Sequence, residues 1–266
     1  MNLGDRMKMY EGIEAQRMLI PTLPIMIRLD GKAFHTYCKG LKKPFDTRLM
    51  NLMSATSKFL LEQTGAILSY TQSDEISLVI YSPDFTKEPY FNGRTQKLTS
   101  VIAAYATAYF NKHAGEYLPE KAHLTPVFDC RVWNVPNLHE AANAILWREI
   151  DATKNSVSAA AQSMFSHKEL QGKHMNDMQE MMFQKGINWN DYPSEFKRGT
   201  YHQRVTLNIP FTTDEIDKLP AKHHARTNPN LIMVRSVVRQ ITLPPLTTVE
   251  NKAITLFPNF ATDLVK

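Results

Sequence analysis

Hydrophobic and polar positions change period several times along this chain. In residues 5–19, Met7, Tyr10, Ile13 and Met18 fall at helical spacing, and the Pro21 to Pro24 stretch ends the run. From Ile25 the period becomes two: Ile25, Ile27 and Leu29 share one face and Met26, Arg28 and Asp30 the other, so a strand is predicted that Asp30-Gly31 closes. Helical spacing returns from Thr47 to Gln63, with Leu49, Leu52, Met53, Thr56, Phe59 and Leu60 as the stripe and Gly65 as the stop. Between Ala66 and Tyr81 two apolar runs flank the polar TQSDE, the pattern of an antiparallel hairpin with Ser73, Asp74 and Glu75 at or near its tip. A helix over about Thr95 to Lys112 and a strand over Pro126 to Val135 follow. The strand-helix-strand-strand-helix-strand part of this order predicts an α+β fold of the split βαβ, ferredoxin-like kind.

Downstream the pattern predicts a long helix from His139 to about Phe165, then a second carrying Met175, Met178, Met181 and Met182, whose methionines are read as core filler. KGINWNDYPSEFKRG reads as a loop, and the prolines of the last 60 residues divide them into short strands or loops. Three regions are expected: a catalytic core over 1–138, a helical region over 139–204 and a basic extension over 205–266.

The net charge of +5 is localised. Eight basic residues against three acidic ones lie between Lys197 and Arg239, leaving 23 against 23 elsewhere, so a neutral body carries a basic C-terminal third suited to attracting phosphates. Cys38 and Cys130 have no metal-ligand spacing, which fits two free thiols in a reducing cytosol and no zinc site. No apolar leader or membrane-length stretch is seen, so a cytoplasmic protein with no membrane partner is expected.

The pattern with most chemistry in it is acidic. In a split βαβ sheet the first strand lies beside the hairpin, so Asp30 and Asp74-Glu75 converge on one edge. Clustered carboxylates repel one another unless a cation lies between them. Mg²⁺, a hard ion that takes oxygen ligands and substrate phosphates, is the natural occupant, and Gly31 lets the backbone approach closely. Such a pair supports two-metal phosphoryl transfer.

RLDGKAFHTY (Arg28 to Tyr37), KKPFD (Lys42 to Asp46), YTQSDEISLV (Tyr70 to Val79), FDCRV (Phe128 to Val132), WREIDATKNS (Trp147 to Ser156), HKELQGK (His167 to Lys173) and KRG (Lys197 to Gly199) occur in that order. Together, over residues 5–204, they closely resemble the histidine-tRNA guanylyltransferase family and its guanylyltransferase-like relatives, the 3′→5′ nucleotide-adding enzymes. The resemblance implies a core like the palm of polymerases and nucleotide cyclases, two Mg²⁺ ions, ATP and GTP as substrates, tRNA as partner and a homotetramer or dimer of dimers. In that chemistry ATP adenylylates a 5′-monophosphate, and the 3′-hydroxyl of GTP then displaces AMP.

Carried over by position, Asp30, Gly31 and Asp74 match the metal site and Glu75 the adjacent acid. Lys32, Ala33, Phe34, His35, Lys43, Asp46 and Ser73 match nucleotide-binding positions. Arg94, Lys97 and Arg131 match positions lining triphosphate and 5′-phosphate sites, where the guanidinium fork suits phosphate. Arg148, Asp151, Asn155, Lys173, Lys197 and Arg198 are the candidate tRNA contacts. Where the histidine-specific eukaryotic enzymes carry His-Ile-Asn-Asn-Leu-Tyr, this chain reads Thr153-Lys154-Asn155-Ser156-Val157-Ser158. That departure points to templated repair of 5′-truncated tRNA, with strict histidine-tRNA guanylylation, a palm-fold cyclase and a non-catalytic RNA-binding protein as the alternatives.

Overall fold

The alternating segment around Ile25 lies inside a six-stranded antiparallel sheet, flanked on both sides by hydrogen-bonded neighbours. The computed structural model describes residues 1–84, 86–228, 230–260 and Leu264. Its strands are β1 (Ile25–Gly31), β2 (Leu68–Gln72), β3 (Glu75–Ile80), β4 (Phe128–Asn134), β5 (Thr200–Pro210) and β6 (Ile232–Ile241). The helices are α1 (Leu3–Ala15), α2 (Phe34–Tyr37), α3 (Thr47–Thr64), α4 (Thr95–Tyr117), α5 (Leu138–Gln162), α6 (His167–Leu170), α7 (Met175–Gln184), α8 (Ser194–Arg198), α9 (Thr213–Lys218) and α10 (Lys252–Leu256). Strand order β4-β1-β3-β2-β5-β6 contains the 4-1-3-2 order of the split βαβ unit, widened at one edge by β5 and β6.

The two faces of β1 meet different partners. Ile25, Ile27 and Leu29, with Ile76, Leu78 and Ile80 of β3, pack under α3 and α4 against Leu52, Leu60, Leu98, Ile102 and Phe110. Met26, Leu68, Tyr70 and Val79 on the other face pack under α5 and α10 against Leu138, Ala142, Ile145 and Leu256. A third cluster joins α5 to α7 and α8 through Val157, Ala161, Met182 and Phe196. Met182 is fully buried and Met178 and Met181 pack at its margin, whereas Met175 is exposed.

Three expectations are corrected. The N-terminal helix ends at Ala15, and Met7, Tyr10, Ile13 and Met18 stay exposed, because charged residues interrupt every turn and no continuous apolar stripe forms. The segment expected to be a loop before Gly199 contains the short helix α8. The last 60 residues hold the long hairpin β5–β6, paired from Tyr201↔Ile241 to Pro210↔Ile232, and β5 runs through position 204 without a break. Pro210 falls at the strand's last position, where a missing N–H costs no ladder bond. Among the described residues no helix is long and apolar enough to cross a membrane.

The inward face of β5 includes His202, which is 2% exposed and whose Nε2 lies 3.3 Å from Ser54 Oγ, while Nδ1 has no partner. Burial lowers its pKa to about 4, and the Lys58 charge acts in the same direction. The unfolded chain therefore binds a proton that the folded chain refuses, and stability falls as pH drops below the ordinary histidine value. Between pH 8 and pH 5.5 we expect a loss of about 1 kcal/mol from this residue, flattened in His202→Gln, in urea titrations at the two pH values. Equal pH slopes for the two proteins would exclude His202 as the cause.

Candidate active site

β1 ends at Gly31 and β3 begins at Glu75, and the register places Asp30 directly across from Glu75 on one side and Asp129 on the other. β2 and β3 are joined through Ser73 and Asp74 alone, with Gln72 and Glu75 as the first pair. Ser73 takes φ +55°, a conformation normally left to glycine in such a turn. The turn is tied to β1 by the Gly31 N–H, which donates to the Asp74 carbonyl at 3.0 Å, so the Asp74 backbone is anchored beside Asp30.

These residues form part of the floor of a cleft of about 630 Å³. Asp30, Ser73, Asp74 and Glu75 lie there, with Arg148 and Asn155 from α5, His35 from α2, and Lys39, Lys42 and Lys43 from the loop before α3. Burial raises the Asp74 pKa above the ordinary carboxyl value; the Ser73 hydroxyl, 3.0 Å from Oδ1, opposes this and the Asp30 charge adds to it. Burial likewise raises Glu75, and Arg148 opposes it through two hydrogen bonds. Acids at the floor and ammonium groups in the facing loop suit a ligand that carries phosphates and a cation together.

Several expected site residues stand elsewhere. The Phe34 ring is 2% exposed and packs on Tyr37, Phe110 and Phe128, which removes it from any base. It also explains Gly31, since a Cβ there would lie 2.3 Å from that ring. Asp46 caps α3 by accepting from the Arg48 N–H, and hydrogen bonds from the Arg48 side chain hold its pKa at about 2, although it still borders the cleft. Ala33 takes φ +57° in the turn into α2, and Lys32 is exposed beside it.

Arg94 and Lys97 begin α4 at the opposite end of the sheet: Arg94 bridges Met18 and Gly93 bonds Leu19, both of which precede the start of β1. The chain passes there because β3 runs away from the carboxylates. Arg131 is half exposed and pairs with Asp129 at 3.3 Å on β4, directly across from Arg28.

Of the expected tRNA contacts, Lys173 is exposed and Asn155 borders the cleft. The Lys197 ammonium turns inward to the Asn190 carbonyl and over the Trp189 ring, and Arg198 is half-buried. Arg148 grips Glu75 and Asp151 rather than facing outward. A five-residue helix such as α8 is too short to give a periodic signal for the inward turn of Lys197.

Sequence reasoning missed Tyr70. It is 2% exposed, packs its ring on Tyr201 with centroids 4.8 Å apart and the planes tilted by 45°, borders the cleft, and its hydroxyl is buried without a partner among the described residues. Gly199, at φ +84°, permits this contact, since a Cβ there would come within 2.6 Å of the Tyr70 ring. The only sequence signal was its place at the head of the YTQSDE string.

The sequence profile of the tRNAHis guanylyltransferase family matches residues 4–136. The tRNA(His) guanylyltransferase of Saccharomyces cerevisiae is 30% identical over 226 residues, covering 76% of this chain and 93% of that protein. Among solved structures, a bacterial tRNA(His) guanylyltransferase-like protein in complex with ATP superposes with a TM-score of 0.72 at 42% identity, covering 77% of this chain and 87% of that one. A bacterial tRNA(His) guanylyltransferase-like protein in complex with GTP superposes with a TM-score of 0.70 at 33% identity, covering 92% of this chain and 94% of that one. On these matches, and with the paired carboxylates and the cleft in place, the chain belongs to the tRNA(His) guanylyltransferase family of nucleotidyltransferases.

Proposed function

We propose that this enzyme adds nucleotides to tRNA 5′ ends in the 3′→5′ direction, and that repair of 5′-truncated tRNA against the opposing strand is its main activity. The observation that carries this reading is the Asp30–Asp74 pair, drawn together by the Gly31–Asp74 hydrogen bond at the floor of the lysine-edged cleft. Relatives that hold ATP and GTP support the choice of substrates.

Two carboxylates and a backbone carbonyl at Gly31 fit Mg²⁺. Among the described residues no three carboxylate, imidazole or thiol side chains cluster, so the donor set suits an ion that keeps water and substrate phosphates as its other ligands. The half-buried Asp74, raised in pKa by burial and by the Asp30 charge, is a carboxylate that a divalent cation would stabilise as its anion. When bound, the two ions supply charge to the reacting phosphates and activate the attacking oxygen.

In this reading Lys39, Lys42 and Lys43 hold the triphosphate at the edge of the cleft, while Asp30 and Asp74 would hold the cations that neutralise the reacting phosphate. A tRNA 5′-monophosphate attacks the α-phosphorus of ATP and releases pyrophosphate. The 3′-hydroxyl of GTP then attacks the activated 5′ phosphorus and releases AMP. In the same reading Arg131, exposed on the edge strand β4, is assigned to the 5′ phosphate and the exposed Lys173 to the tRNA backbone. The homotetramer expected from the family has a surface available in the exposed apolar residues of α1.

Thr153 favours repair over strict histidine-tRNA specificity, because its hydroxyl donates back to the Glu149 carbonyl at 2.9 Å. It offers no ring or free donor to an anticodon base. Incubation with MgCl₂, ATP, GTP and two 5′-monophosphorylated tRNAs, an intact histidine tRNA and one lacking its first nucleotide, tests this on sequencing gels. Extension of the truncated tRNA up to a fully paired stem is expected. Addition to intact histidine tRNA alone would establish the guanylyltransferase reading instead, and no product from either would refute both.

A further inference from the structure

Four carboxylates reach one end of the sheet, and one of them, Asp129 on β4, is half exposed and paired with Arg131 at 3.3 Å. Asp30 and Glu75 are cross-strand partners, and Asp74 precedes Glu75 in the turn. Acids this close should gather on one divalent ion, yet among the described residues no three such donors converge.

The cause lies on α5. Arg148 donates from Nε to Glu75 Oε1 at 2.6 Å and from Nη2 to Oε2 at 2.8 Å. Nη2 also donates to Asp151 Oδ2 at 2.9 Å, and the guanidinium lies 4.5 Å from the centre of the Trp147 ring. The Arg148 side chain is 16% exposed, so its two-bond edge is already spent on carboxylates and is closed to a tRNA phosphate.

We propose that Arg148 is a positioning residue for nucleotidyl transfer, drawing the Glu75 carboxylate aside so that Asp30 and Asp74 alone supply carboxylates to the metal site. The inference rests on the reading of those two residues as metal ligands. A third carboxylate would hold an ion more tightly, but it would take a coordination position needed by substrate phosphate and cancel charge that the reaction uses. Trp147 and Asp151 keep the guanidinium in its plane from two further sides.

The assignment makes metal affinity and turnover move in opposite directions. In Arg148→Ala, Mn²⁺ titrated into the nucleotide-free enzyme by calorimetry should bind at least about threefold tighter. Turnover with truncated tRNA should meanwhile fall about 10²-fold, as for other lost orienting partners of a metal site, with tRNA affinity within about twofold of wild type. Arg148→Ala/Glu75→Gln should return Mn²⁺ affinity to the wild-type value. Arg148→Lys, a point charge that cannot make the paired bonds, should fall between the two and serves if the alanine variant does not fold.

Unchanged or weaker Mn²⁺ binding in the single variants would overturn the proposal. So would a large loss of tRNA affinity with kcat intact, since Arg148 would then be an RNA contact. Asp30→Ala separates the two levels: if Mn²⁺ binding survives it unchanged, the metal-site reading itself is wrong.

Discussion

Replacing Asp30 by alanine is expected to reduce nucleotide addition by at least about 10³-fold, equivalent to about 4 kcal/mol of transition-state stabilisation, while leaving tRNA affinity within about twofold of wild type. The two effects separate because Asp30 faces the cleft floor from the end of β1, whereas the exposed Arg131 and Lys173 lie outside that floor. Loss of one negative charge next to bound RNA should, if anything, tighten binding slightly. Asp74→Ala should be equally damaging, and the double variant little worse than either, because the two carboxylates act as a unit. Single-turnover extension of truncated tRNA, alongside filter binding at fixed salt, measures both quantities. Unchanged product formation in Asp30→Ala would refute the catalytic assignment, and parallel loss of binding and turnover would make Asp30 a residue of the RNA surface.

The convergence of Asp30 with Asp74 and Glu75 was legible because it is written in local patterns. Alternation over residues 25–30 assigned Asp30 to the same face as Arg28, and the polar TQSDE between apolar runs put Asp74 in a turn. Strand order then followed from the split βαβ rule, and the register across β1 and β3 agrees. What escaped the sequence depends on where side chains turn after the chain has passed. Phe34 follows a glycine and precedes a histidine in the site, yet α2 turns its ring into the cluster around Phe110. Arg148 and Glu75 are 73 residues apart and no periodicity links them. Arg94 and Lys97 resemble phosphate contacts by position, but β3 carries the chain to the far end of the sheet before α4 begins. The β5–β6 hairpin was hidden by its prolines, which lie at or beyond strand ends rather than within them.

The largest stability effect is expected at Glu149, which joins three segments that local sequence reasoning leaves unconnected. It lies on α5, is 3% exposed, and accepts from the Tyr201 hydroxyl of β5 at 2.5 Å and from the Leu246 N–H beyond β6 at 2.7 Å. Burial raises its pKa, and these two donors oppose the rise. Glu149→Ala would leave both donors buried and unpaired beside a cavity, a loss of about 3–5 kcal/mol. Glu149→Gln should lose only about 1 kcal/mol, because its amide oxygen can still accept from Leu246 while its NH₂ donates to the Tyr201 oxygen. Urea denaturation of the three proteins gives the ordering directly. The consequence reaches the candidate active site, since Tyr201 packs on Tyr70 at a 45° tilt and Tyr70 borders the cleft. Limited proteolysis of Glu149→Ala should therefore open the chain beyond Ile241, and nucleotide addition should weaken before the sheet itself unfolds. An alanine variant within about 1 kcal/mol of wild type would mean that the C-terminal segment is held by its apolar contacts around Leu246, Leu256 and Phe257, and that Glu149 contributes little to docking it.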